Sequence, residues 1–208
     1  MSTRYISNAF VSEALECARR GGVDITQLLE RVGIDAPGGG QITAQQFGRL
    51  WLGIAEAMND EFFGNATRPM RPGSFALMGH AVRSAPNVEI ALRRALRFLK
   101  VAIDEPFGAL QVRNGIAEIT LHDSITDRSA FAYRTFWVIL HGLTCWLARA
   151  RIPLHGLDIT CAPPREQDDY HQFFGAPVRF GVSAGALRFD ARYLQRPVDQ
   201  SDAALKRF

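Results

Sequence analysis

The feature that most restricts the fold of this chain is a change in hydrophobic period between Val101 and Ala109. Up to Val101 the apolar residues recur at helical spacing. Ser7 to Arg20 places Ala9, Phe10, Ala14, Leu15, Cys17 and Ala18 on roughly one face, and Gly21-Gly22 stops it. Asp24 caps a short second helix carrying Ile25, Leu28, Leu29 and Val32, which Gly33 ends. Pro37 to Gly40 reads as a loop. Thr43 caps a helix to about Asn59 that buries Phe47, Leu50, Trp51, Ile54 and Met58. A Gly- and Pro-broken loop from Glu61 to Pro72 precedes two further helices, Gly73–Val82 and Val88–Val101, the second capped by Asn87.

Beyond that point strands enter. Ala109–Val112 and Ile116–Leu121 flank Asn114-Gly115, the strongest short hairpin signal. In the second strand Ile119 and Leu121 alternate with Glu118, Thr120 and His122, as in a half-buried strand. Ser129–Arg151 is the longest and most apolar helix, stopped at Pro153. A strand at Leu157–Cys161, a short helix at Arg165–Phe174 anchored by Phe173 and Phe174, and strands at Val178–Val182 and Ala186–Phe189 complete the pattern. Helices segregated ahead of a hairpin-containing sheet predict an α+β fold. The expected sheet is mostly antiparallel, of about four or five strands, packed with the long helix.

Composition removes several classes of function. A hydrophobic content of 47% with 22% charged residues suits a globular core and argues against disorder. The net charge of +3 is mild and the Arg residues are scattered. Their densest group, Arg93, Arg94, Arg97 and Lys100, reads as a solvated helix face and not as a phosphate contact. Cys17, Cys145 and Cys161 are widely spaced, so they read as reduced thiols in a cytoplasmic protein. Glu13, Glu16, Arg19 and Arg20 interrupt the first thirty residues, so no signal peptide is expected there, and no apolar run is long enough to span a membrane.

Motifs of enzyme chemistry are absent. There is no GxSxG, HExxH, GxGxxG or P-loop, and Gly38-Gly39-Gly40 follows no apolar strand. The histidines are too dispersed for a local metal motif. No enzyme activity and no cofactor are therefore expected. The long helix offers a different constellation. Tyr133, Trp137 and His141 recur at i, i+4 and i+8 and share one face. Such stripes most often pack helices together. Here, however, Tyr133, Arg134 and His141 add polar tips to an apolar wall, the mixture that small-ligand sites use. Phe75 and His80, on the 73–82 helix, are candidates for the opposite wall.

Three stretches carry a family resemblance. Phe75 through His80 to Ser84-Ala85-Pro86-Asn87-Val88, then an amphipathic helix, resembles the arabinose-binding-type N-terminal domain of AraC-family regulators. Tyr170-His171-Gln172-Phe173-Phe174-Gly175 to Phe180, and Ala186 to Pro197, are similar to the same domain. The resemblance implies a one-component regulator, in which an N-terminal domain senses a metabolite and a C-terminal domain with two helix-turn-helix units binds DNA. After Pro197 only residues 198–208 remain, so the resemblance implies that the DNA-binding half is absent from this chain. The family's namesake senses through a cupin-like barrel, which the long helices here argue against. The resemblance carries a role, without arabinose as the ligand.

The expected organisation is a small helical region at 1–40, a ligand-sensing α+β domain at 41–197 and the start of a linker at 198–208. The expected function is effector binding and dimerisation in a transcription regulator. Its partners would be a small-molecule effector, a second copy of the chain, and DNA only through the missing half. The alternatives are a small-molecule enzyme of unrecognised type and a stand-alone module acting on a partner regulator.

Overall fold

The computed structural model describes residues 5–34, 42–125 and 128–207, and the loop read at Pro37–Gly40 lies outside them. The chain forms two compact units, Met1–Pro72 and Gly73–Phe208.

The first unit pairs a two-residue strand β1 (Tyr5–Ile6) antiparallel with β2 (Ile42–Thr43). Three helices carry it: α1 (Asn8–Arg20), α2 (Ile25–Val32) and α3 (Ala44–Met58). Ser7, Asp24 and Thr43 cap them, each side chain accepting a first-turn amide that the helix leaves unpaired. Gln46 returns the bond to Thr43 and completes a capping box. After α3 the Asp60 carboxylate accepts the amides of Phe62, Gly64 and Met70, which folds the 61–70 loop around one buried acid.

The second unit begins with α4 (Ser74–Arg83) and α5 (Val88–Ile103). Strands β3 (Phe107–Arg113) and β4 (Ile116–His122) follow, joined by the anticipated hairpin. Asn114 and Gly115 take φ of 50° and 76°, the left-handed pair that a tight two-residue turn needs. Next come α6 (Ala130–Ala148), β5 (Leu154–Asp158), α7 (Gln167–Phe174), β6 (Val178–Arg179) and β7 (Ala186–Asp190). A short 3-10 helix (Ala191–Gln195) and α8 (Asp202–Arg207) end the unit. The five-stranded sheet has the order β3-β4-β7-β5-β6, antiparallel except for β5 with β6. The fold is α+β, and the sheet is open at both edges.

Alternation sorts the two faces of the sheet. Leu110, Ala117, Ile119, Leu121, Leu157, Leu187 and Phe189 are buried. A side chain at Gly108 of β3 would meet Leu96 of α5, Ile119 and Phe136 of α6, so both helices cover this face. On the other face Glu118, Arg188, Asp158 and Arg179 form a chain of ion pairs across β4, β7, β5 and β6.

Three expectations need correction. The strand read at Leu157–Cys161 starts at Leu154 and ends at Asp158, with a register irregularity between Leu154 and Gly156. The helix read to Arg151 ends at Ala148: Arg149 turns left-handed and its amide returns to the carbonyls of Cys145 and Trp146. On α7 the anchors are Tyr170 and Phe174, one turn apart and buried, while Phe173 stands 42% exposed.

Candidate functional site

Helix α6 is enclosed on nearly every side. Ser129 caps its start, and 13 of its 19 residues are buried, among them Tyr133, Arg134 and Trp137. In a helix so apolar, each polar atom needs a partner within the protein.

The partners are unequal along its length. The Tyr133 hydroxyl donates to Asp123 at 3.1 Å, and Thr160 also bonds it. Burial, and next the Asp123 carboxylate, push the Tyr133 phenol above its ordinary pKa, so it stays protonated. Asp123 is in turn held by Arg128 at 2.8 Å, both side chains being buried, and Arg128 also donates to the Glu105 carbonyl at 3.2 Å. Arg134 is 2% exposed, its guanidinium lying 5.1 Å from the Phe131 ring and 5.6 Å from that of Tyr170. Lower on the helix, His141 Nε2 donates to the Ile152 carbonyl at 2.9 Å, with the Cys145 sulfur 3.4 Å away. Burial lowers the His141 pKa, against the opposing pull of that hydrogen bond, and favours the neutral ring.

Trp137 differs from all of these. Its side chain is 0% exposed and edge-on to Phe136 at 5.3 Å, yet its indole Nε1–H meets no acceptor. It is the buried side-chain nitrogen or oxygen left unpaired among the described residues.

The six sequence candidates are thus distributed over two helices. Tyr133, Arg134 and Trp137 lie together on successive turns of α6, with half-buried His141 one turn further along. Phe75 and His80 lie on α4, which packs against α5 and α8. Phe75 is half-buried, whereas His80 points outward, 3.9 Å from Asp202. Sequence reasoning missed the Asp123–Arg128 pair that braces Tyr133. The signal was present in polar residues just ahead of a cap at Ser129, but only the fold turns them inward.

A concavity lies in the first unit, a largely open cavity of about 390 Å³ lined by Gly21, Asp24, Gln27, Leu28, Arg31 and Ala57, among others. Arg31 is already engaged with the Gly53 carbonyl at 2.8 Å. No group of three or more His, Cys, Asp or Glu among the described residues could hold a metal ion. No helix among them is long and apolar enough to cross a membrane.

The model of the family described as the arabinose-binding domain of AraC transcription regulator, N-terminal, matches residues 22–198. No curated protein matches the chain by sequence. Among solved structures, the chain is similar to the transcriptional regulator CdpR from Pseudomonas aeruginosa, at 14% identity and a TM-score of 0.45. That alignment covers 91% of this chain and 59% of the other.

Proposed function

Because the chain belongs to the family of the arabinose-binding domain at the N-terminus of AraC transcription regulators, we propose that it is the effector-sensing half of such a regulator. The family is one of ligand-binding regulatory domains. The finer reading is that this domain binds a small metabolite in the cytoplasm, forms a homodimer, and acts on DNA through a separate helix-turn-helix half. Arabinose itself is not implied, because the five-stranded sheet here is open and not closed into a barrel.

The effector site in this reading is on α6. The observation that supports it is the Trp137 N–H, fully buried and without an acceptor. Leaving such a donor unpaired costs about 1–3 kcal/mol. An effector carrying a carbonyl or carboxylate would supply the acceptor, while the Trp137 ring gives apolar contact. Tyr133, Arg134 and His141 would orient it, and Phe75 and His80 are retained as the candidate opposite wall.

The experiment is a thermal-shift screen of metabolites, followed by calorimetry with the compound that stabilises the fold. A ligand at a hundred times its Kd adds about 2.7 kcal/mol, enough to detect. Trp137→Phe, Tyr133→Phe and His141→Ala should each weaken binding by roughly tenfold, the worth of one hydrogen bond of about 1.4 kcal/mol. Unchanged affinity in all three moves the site elsewhere. Parallel Phe75→Ala and His80→Ala variants test the other wall. Turnover of the bound compound would favour the enzyme reading instead. Sedimentation equilibrium tests the dimer, and footprinting should find no sequence-specific DNA binding by this chain.

A further inference from the structure

We infer that residues 196–205 are a strap that ties the C-terminal end of α6 to the docking of α8 on α4. The inference concerns transmission and needs no ligand, so it stands or falls separately from the effector site.

The strap begins where the 3-10 helix ends. The Arg196 carbonyl accepts the Val88 amide at 2.9 Å, and Pro197 bridges Asn87, which fixes the strap to the start of α5. The Arg196 guanidinium then donates to the Ala148 carbonyl at 2.8 Å, and the Gln200 side-chain amide donates to the Trp146 carbonyl. Both acceptors belong to the last turn of α6, where the helix's own ladder runs out, and the Trp146 carbonyl is shared with the Arg149 amide. The strap therefore grips α6 by its backbone end. A shift of α6 along its axis moves those two carbonyls and the residues bonded to them.

Two residues after Gln200, the chain grips a second helix. Asp202 pairs with Arg83 of α4 at 2.8 Å, with His80 at 3.9 Å. Leu205, one turn on, lies over Gly79. A Cβ at position 79 would stand 2.4 Å from Leu205 Cδ1, so the absence of a side chain there makes the hollow that seats the leucine. Ser201 starts α8 by accepting the Ala204 amide at 3.1 Å. Six residues are too few to hold a helix in water without tertiary contacts. The helicity of α8 is therefore a report on its docking. Because Gln200 and Asp202 are so close in sequence, the hold on α6 sets the register at which Asp202 and Leu205 meet α4. Loss of the first grip loosens the second.

Hydrogen exchange of the intact chain tests this, reading the backbone amides of residues 204–207. Leu205→Ala should speed their exchange at least tenfold while the amides of α4 and α5 keep their wild-type rates. Gln200→Ala combined with Arg196→Met should do the same, although neither substitution touches α4 or α8. Both side chains are at or near the surface, and a melting curve with Gln200→Ala alone checks that the fold survives. Wild-type exchange in α8 of the Gln200/Arg196 double variant would overturn the coupling. Wild-type exchange in Leu205→Ala would overturn the docking itself.

Discussion

Helices α6 and α4 of the second unit both carry residues that the sequence marks for ligand binding, and their surroundings are opposite. On α6 the candidates Tyr133, Arg134 and Trp137 are buried among apolar neighbours. On α4, Leu77 is 65% exposed, His80 faces outward toward Asp202, and the buried side is Met78, Gly79 and Val82. A polar group on a half-exposed helix can be satisfied by water, so its presence says little. On an enclosed helix the same group must find a partner or carry the cost of lacking one. The difference makes the Trp137 N–H informative and leaves His80 to be decided by substitution.

The contrast has measurable consequences, and the largest is in stability. Trp137→Ala should cost about 3–5 kcal/mol in urea unfolding, the range for deleting a large core side chain. Leu77→Ala on α4 should stay within about 0.5 kcal/mol, as for most surface changes. Similar losses at the two positions would break the comparison at once.

A second difference is in pH dependence. Burial lowers the folded pKa of His141 below its ordinary value, so at mildly acid pH the unfolded chain takes up a proton that the folded chain does not. Stability from this group is therefore complete above about pH 6.5 and is lost as pH falls toward the folded value. The slope in that window reaches at most about 1.4 kcal/mol per pH unit. His141→Gln, which can still donate to the Ile152 carbonyl, should flatten the slope in unfolding curves between pH 7 and 5. An unaltered slope would mean that His141 titrates as if solvated.

Smaller effects sharpen the picture. Tyr133→Phe removes the part-buried hydrogen bond to Asp123 and the contact with Thr160, and should lower stability by about 1 kcal/mol. His80→Ala, losing only a loose and exposed contact with Asp202, should change stability by less than about 0.5 kcal/mol. A larger cost for His80→Ala than for Tyr133→Phe would reverse the ranking of the two helices.

Much of this contrast is legible in the sequence, and the limits have physical causes. Capping residues Asp24, Thr43 and Asn87 locate three helix starts because the amides they satisfy are local. Asn114-Gly115 locates the hairpin for the same reason. The strand order is not local: β7 inserts between β4 and β5, and β6 pairs in parallel with β5. Nothing in the residues 178–190 distinguishes that arrangement from a simple hairpin. The pairing of Arg179 and Arg188 with the Asp158 carboxylate follows from it. Burial works against the Asp158 carboxylate, and the two arginines together outweigh it and hold its pKa below the ordinary range. On α6 the i, i+4, i+8 spacing gives the stripe, but the unpaired Trp137 N–H emerges only when all the surrounding elements are in place.

The most direct test of the α6 site observes that N–H. The chain has three tryptophans, Trp51, Trp137 and Trp146, so an indole nitrogen–proton correlation spectrum of labelled protein resolves each. The stabilising metabolite from the screen is then titrated to saturation. The account predicts that the Trp137 indole proton moves downfield as it gains an acceptor, while the Trp51 indole proton keeps its position. Saturation binding with the Trp137 proton unmoved would contradict it.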